Sequence, residues 1–283
     1  MQRTQENRVN INDCTKPLMM GILNVTPDSF SDGGKYHRVD AAVVQVELML
    51  KEGADMIDIG GESTRPGSDT VNSDEQIQRV IPVILAIRRN FADDILISID
   101  TTLSTVAEAA LNAGADLIND VSAGLNDPDI LTLAAKRAVP IILMHRLGTP
   151  KTMQENPYYD DVVTEVIAFL KSRVTAALAA GIEKNNILLD PGIGFGKRKQ
   201  DNLDLLANLD KLVALGFPVL LGTSRKRFMG AICNASEPSE LVTATAVTTA
   251  LGVMAGVQLF RVHDVKANRQ AADVAWAIKQ SPQ

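Results

Sequence analysis

The feature that most restricts what this chain can fold into is an alternation. Short runs rich in Ile, Val, Leu and Met are each followed by a longer stretch of helical periodicity, from about Leu18 to the end. Such a pattern requires parallel strands joined by helical crossovers. The expected strands lie near Leu18 to Leu23, Met56 to Ile59, Ile95 to Ile99, Leu117 to Ile118, Val139 to Met144, Ile187 to Leu189, Val219 to Leu221 and Val257 to Val262. The expected helices are Asp40 to Glu52, Ser73 to Arg89, Ser104 to Ala113, Pro128 to Arg137, Asp160 to Ala180, Leu203 to Leu215, Ser239 to Met254 and Val265 to Lys279. Eight such units in 283 residues, 46% of them hydrophobic, predict one (β/α)₈ TIM barrel over residues 17–283, preceded by an N-terminal extension, 1–16. Glycine or proline precedes five of the strands, at Gly53, Gly114, Pro140, Gly216 with Pro218, and Gly256, where a helix has to be closed.

Composition excludes several classes. A net charge of -6 leaves no broad basic face for nucleic acid or an anionic membrane, so no nucleic-acid or membrane partner is expected. No stretch reaches the ~18 to 20 apolar residues of a membrane helix, and the polar start lacks a signal-peptide core. Cys14 and Cys233 have neither disulfide-framework nor metal spacing. A cytoplasmic setting is the expectation.

The polar residues that end the strands carry the functional signal: Asn24, Asp58, Asp100, Asn119 with Asp120, His145, Asp190, Ser224 with Arg225 and Lys226, and Arg261 with His263. In a (β/α)₈ barrel the C-terminal rim gathers strand ends and βα loops around one site. Any one of these residues alone reads equally well as a helix cap; the succession does not. Asp100, Asn119 and Asp190 supply acceptors that match the donor edge of a 2-amino-4-oxo heterocycle, and Lys226 a donor for its acceptors. Without ligand, these carboxylates are expected to hold water or lean on Lys226. Arg65, Arg261 and His263 form a cationic group suited to phosphate, with Asn24 as a neutral oxygen for Mg²⁺. Three long loops, Thr26 to His37, Gly60 to Asn72 and Arg146 to Tyr158, fit functional covers.

Other chemistries find no support. DPGIGFGK, Asp190 to Lys197, lacks the phosphate-loop spacing and its terminal Lys-Ser/Thr pair; GxGxxG, HExxH and GxSxG are absent.

The ordered motifs MGILNVTPDSFSDGG (Met20 to Gly34), IDIGGESTRPG (Ile57 to Gly67), SIDT (Ser98 to Thr101), LINDVS (Leu117 to Ser122), LMH (Leu143 to His145), LLDPGIGFGK (Leu188 to Lys197), TSRK (Thr223 to Lys226) and RVHD (Arg261 to Asp264) resemble the dihydropteroate synthase family across nearly the whole chain. That resemblance implies an enzyme that joins a pterin pyrophosphate to p-aminobenzoate with Mg²⁺. It implies that Asp100, Asn119, Asp190 and Lys226 read the pterin edge, that Met144 and Phe195 line its pocket and that Arg261 stacks on its face. It places pyrophosphate on Asn24, Arg261 and His263, and Phe30, Thr64, Arg65 and Pro66 on loops that close over the site. A homodimer through helices late in the chain is also implied. Members often carry serine directly after the lysine of SRK, near the p-aminobenzoate carboxylate; here Arg227 stands there. Two rival readings are a methyltetrahydrofolate-binding methyltransferase barrel and a catalytically idle pterin-binding barrel.

Overall fold

The computed structural model describes residues 16–26, 35–63, 67–91, 95–149, 151–153 and 155–282, with the side chains of 35–38 excepted. The expected extension, apart from Lys16, and the loop residues Phe30, Thr64, Arg65 and Pro66 lie outside the described residues.

Eight parallel strands form: β1 Leu18–Asn24, β2 Met56–Gly60, β3 Leu96–Asp100, β4 Leu117–Asp120, β5 Ile141–Met144, β6 Ile187–Asp190, β7 Leu220–Leu221 and β8 Leu259–Val262. Each pairs with its sequence neighbour, and β1 also pairs with β8. The ring is completed between β6 and β7 by one bridge, Leu189 to Val219, where the Leu189 N–H donates to Pro218 O at 2.9 Å. Among the described residues ten α-helices surround it: α1 Lys35–Lys51, α2 Ser73–Asn90, α3 Ser104–Ala113, α4 Asp129–Arg137, α5 Val162–Ala179, α6 Lys199–Ala207, α7 Leu209–Val213, α8 Arg227–Cys233, α9 Val242–Ala255 and α10 Val265–Gln280.

Differences from the sequence reading have local causes. The single helix expected over Leu203 to Leu215 is two, because Asn208 (φ -123°, ψ 31°) both ends α6 and begins α7. The helix expected from Ser239 begins as a 3₁₀ turn, Pro238–Leu241, before α9. The short α8 was not expected; Asn234, left-handed at φ 52°, stops it after seven residues. The helix-closing glycines behave as expected, Gly114 and Gly256 both capping their helices in the left-handed region.

Successive side chains on a strand face opposite ways, and in a closed barrel this means inside or under the helices. Leu18, Met20, Met56, Leu96, Leu117, Ile142, Leu188, Leu220 and Leu259 form one buried cluster that fills the barrel's lower interior. The other parity, including Met19, Ile57, Ile97, Ile118, Leu143, Leu189 and Phe260, belongs to the larger cluster beneath the helices. Leu188→Ala, in the barrel interior where every strand contributes to packing, should cost about 2–5 kcal/mol in denaturant unfolding. The exposed Leu178→Ala on α5 should change stability by less than about 0.5 kcal/mol; equal effects would contradict a packed interior.

Candidate active site

Counting upward by twos from the apolar floor, the same inward parity delivers Asn24, Asp58, Asp100, Asn119, Met144, Asp190, Arg261 and His263 to the upper end of the barrel. Strand register aligns Asn24, Gly60, Asp100 and Asn119 in one row across β1 to β4. Asn24, Asn119, Met144, Asp190, Phe195, Lys226, Arg261 and His263 line a single cleft of about 1080 Å³. Asp100 joins them through Arg261. The structure thus brings together Asn24, Asp100, Asn119, Met144, Asp190, Phe195, Lys226, Arg261 and His263.

Parity also removes candidates. Asp120 shares the outward phase of Ile118; its carboxylate accepts from the Ser122 N–H at 2.8 Å and the Ser122 hydroxyl at 2.7 Å, closing the turn after β4. His145 shares the phase of Leu143 and packs edge-on against Phe169 of α5, ring centroids 4.8 Å apart. Arg225, by contrast, lines the cleft, its guanidinium held by Asp264 through Nε at 2.9 Å and Nη2 at 2.6 Å.

The centre of the site is an arginine between two carboxylates. Arg261 donates from Nε to Asp58 Oδ2 at 2.6 Å and from Nη2 to Asp100 Oδ2 at 2.7 Å. Of the carboxylates expected to hold water or lean on Lys226, Asp100 instead leans on Arg261, while Asp190 keeps Lys226 nearby. Arginine has the planar fork to serve two acceptors, whereas Lys226 sits with Nζ 4.2 Å above the Phe195 ring. Burial disfavours charge on Arg261, but Asp58 and Asp100 outweigh it and hold the guanidinium's pKa above its ordinary value. Burial raises Asp100 well above the usual carboxylate range, Arg261 opposing and Asp58 adding to the shift. Burial likewise raises Asp190 to about 6, although the Gly192 N–H donates to Oδ1 at 2.7 Å and Lys226 lies nearby. Lys226 is lowered to about 8 by burial and then by Arg261, against Asp190 and Asp100.

Ser224 orients His263. Its hydroxyl oxygen accepts from the His263 backbone N–H at 3.0 Å and lies 3.0 Å from Nδ1, so Nε2 is the ring nitrogen left for the cleft that His263 lines.

Sequence reasoning gave no role to Lys197, yet it fixes the loop that carries Phe195. Its buried Nζ donates to Gly192 O at 2.8 Å, Phe195 O at 3.1 Å and His145 Nδ1 at 2.9 Å. Burial lowers Lys197 to about 7, and burial followed by the charge of Lys197 lowers His145 to about 3. The loop lies so close to β5 that a Cβ at Gly192 (φ 65°) would fall 1.8 Å from His145 O. The signal in the sequence was the glycine spacing of DPGIGFGK, whose use is close packing of backbone.

A group of three or more His, Cys, Asp or Glu side chains suited to a metal is absent among the described residues. Asn24 offers a single oxygen: a Cβ built on Gly60 would stand 3.7 Å from both Asn24 Oδ1 and Asp100 Oδ2. The missing side chain therefore leaves room beside two hard oxygen donors.

These titrations have a consequence for stability. Because the folded value of Asp190, about 6, exceeds the 3.8 of an ordinary aspartate, its contribution is fully present below pH 3.8 and is lost as pH rises through about 6. Asn in its place still accepts from Gly192 and never ionises. Asp190→Asn should stabilise the empty protein at pH 7 by up to about 3 kcal/mol, roughly two units at about 1.4 kcal/mol each, with little gain at pH 4. Urea unfolding at both values tests this, and no gain at pH 7 would refute the buried-charge account.

The chain matches the pterin binding enzyme family over residues 20–263. It is 51% identical over 257 residues to the dihydropteroate synthase of Streptococcus pyogenes serotype M6, covering 90% of this chain and 93% of that one. A structure of Xanthomonas albilineans dihydropteroate synthase with 4-aminobenzoic acid superposes with a TM-score of 0.88, at 46% identity and 95% coverage of both chains. Another of that enzyme, in complex with 7,8-dihydropteroate, gives 0.84 at 43% identity, again covering 95% of each. On this likeness in sequence, fold and length, the chain is a pterin-binding enzyme and belongs to the dihydropteroate synthase family.

Proposed function

We propose that this enzyme condenses 6-hydroxymethyl-7,8-dihydropterin pyrophosphate with p-aminobenzoate, giving 7,8-dihydropteroate and pyrophosphate. The observation that carries the reading is one cleft holding two different sets of groups: acceptors at Asn119 and Asp190 with Asp100 behind, and donors at Arg261, His263 and Lys226. The first set fits the amino and ring N–H donors of a pterin; Lys226 complements its carbonyl. The second fits a diphosphate. Arg261 has Nη1 and its flat face to offer once Nε and Nη2 are held by Asp58 and Asp100.

In the proposed reaction the bond between the pterin methylene carbon and the pyrophosphate oxygen breaks, its electron pair leaving with pyrophosphate. The amine lone pair of p-aminobenzoate forms the new C–N bond, and the amine then loses a proton. No protein nucleophile is required. Arg261 and His263 stabilise the departing charge, while the carboxylate of Asp100 offsets positive character at the methylene carbon. The residues present fit Mg²⁺: Asn24 Oδ1 would hold it beside Gly60, with diphosphate oxygens and water completing its shell. When bound, the ion neutralises charge on the leaving group.

Arg227, exposed and lining the cleft, is the cation proposed for the p-aminobenzoate carboxylate in place of the family's serine. Phe30, Thr64, Arg65 and Pro66 are proposed to complete that pocket from the loops. The methyltransferase and idle-barrel readings are disfavoured because the cleft pairs the ring-reading acceptors with a phosphate-binding cation set. The enzyme is proposed to act in the cytoplasm; among the described residues no helix is long and apolar enough to cross a membrane.

Mixing the protein with the pterin pyrophosphate, p-aminobenzoate and Mg²⁺ should release pyrophosphate stoichiometrically with dihydropteroate, and none without p-aminobenzoate. Asp100→Asn should lower kcat on the order of 100-fold while binding pyrophosphate nearly as well. An unchanged rate refutes the role given to Asp100, and release without p-aminobenzoate refutes the condensation.

A homodimer is also proposed. Val247, Leu251 and Met254 form an exposed stripe on α9, and Val274 with Ile278 continue it on the adjoining α10. Sedimentation should give a dimer that Leu251→Glu converts to a monomer; a monomeric parent protein would dismiss this surface.

A further inference from the structure

Asp58 has no part in the reaction as proposed, yet it is among the most enclosed charged groups in the molecule. It lies on β2 between Met56 and Gly60, fully buried, in register with Ile22 of β1 and Ser98 of β3. One oxygen, Oδ2, accepts both from Arg261 Nε at 2.6 Å and from Asn119 Nδ2 at 3.2 Å. Its other oxygen has no hydrogen-bond partner among the described residues.

The contact with Asn119 has a directional consequence. A side-chain amide has an accepting end and a donating end, and rotation by half a turn exchanges them. Opposite a carboxylate oxygen only the donating end is attractive; the reverse would set oxygen against oxygen in a buried place. Asp58 therefore turns one Nδ2 hydrogen toward itself and leaves Oδ1, beside the second N–H, for the cleft that Asn119 lines.

We infer that Asp58 is a specificity-determining positioning residue, which fixes the Asn119 amide so that the cleft accepts a 2-amino ring and rejects its 2-oxo counterpart. The inference rests on the condensation reading. A 2-amino-4-oxo ring presents an amino donor next to a ring-nitrogen acceptor, the complement of an amide oxygen beside an N–H. A 2,4-dioxo ring of the same outline presents an oxygen acceptor next to a ring N–H, the inverse pair. Turning the amide would set Asn119 against the amino ring without altering the shape of the cleft.

The test compares the binding of 6-hydroxymethylpterin and 6-hydroxymethyllumazine to three proteins by calorimetry: the parent, Asp58→Asn, and the exchange variant Asp58→Asn with Asn119→Asp. The parent should prefer the pterin by about 100-fold or more. Asp58→Asn lets either end of the amide face position 58, so the preference should shrink at least tenfold. The exchange variant keeps the charge but offers the ring edge acceptors only, which complement neither ring's donor and acceptor pair, so the preference should stay reduced. A damaged fold or a loosened Arg261 weakens both ligands alike and leaves the ratio intact. Asp58→Asn that keeps the parental ratio, whatever its absolute affinity, overturns the inference. Should that variant fail to fold, the exchange variant decides, and the parental ratio kept there overturns it equally. A parent protein that binds neither ring overturns the condensation reading itself, and the role of Asp58 with it.

Discussion

A side chain on a strand of a closed barrel has only two destinations, and the two-residue period of the strand decides between them. Leu18, Met20 and Ile22 lead on β1 to Asn24; Met56 leads on β2 to Asp58; Leu188 leads on β6 to Asp190; Leu259 leads on β8 to Arg261 and His263. The residues that fill the barrel and those that line the cleft are thus successive turns of one alternation. Floor and site cannot be changed independently: a one-residue slip of any strand would bury its apolar side chains under the helices' face and withdraw its polar group from the cleft.

That arrangement places charge where water is scarce. Asp58, Asp100 and Asp190 are all buried, and one arginine serves the first two. Two carboxylates to one guanidinium leave the group short of positive charge, which is why burial prevails and Asp100 and Asp190 both titrate above the ordinary range. A charge deficit of this kind is unfavourable in the empty protein and favourable toward a ligand rich in N–H donors. Lys226, lowered to about 8 yet still largely protonated at pH 7, sits between these demands. The stability given up at the rim is the condition for recognising a polar ring there.

Much of this was legible in the sequence, for identifiable reasons. Strand positions were readable because buried parallel strands are continuous apolar runs, and the polar rim because each run ends in a residue that cannot remain in the core. What escaped was direction and pairing. Asp120 and Asn119 are adjacent in sequence, yet only Asn119 faces the cleft; His145 follows Met144 and faces the other way. Strand phase separates each pair, but the last residue of a run is where phase is hardest to assign. Arg261 reaches Asp58 across more than two hundred residues, so nothing local announces their bond. Lys197 looked like the end of a glycine loop; its partners are backbone carbonyls and the ring of His145, more than fifty residues away, which leave no local mark in sequence.

The barrel's shortest join lies beside the cleft. β7 has two residues, and β6 and β7 meet through a single bridge at Leu189 and Val219. Above that bridge the two strands are held by their loops. Phe195 follows β6 and Lys226 follows β7, with the ammonium over the ring, and a Cβ on Gly194 would approach Lys226 Cδ to 3.0 Å. A ring gripped by Asp190 from one side and Lys226 from the other would span this seam. By linkage, whatever free energy such a ligand gains from the two sides together also favours the closed barrel over any state in which the seam parts. With the ring held by Asp190 and Lys226 as proposed, recognition and closure of the fold would be coupled at the same join.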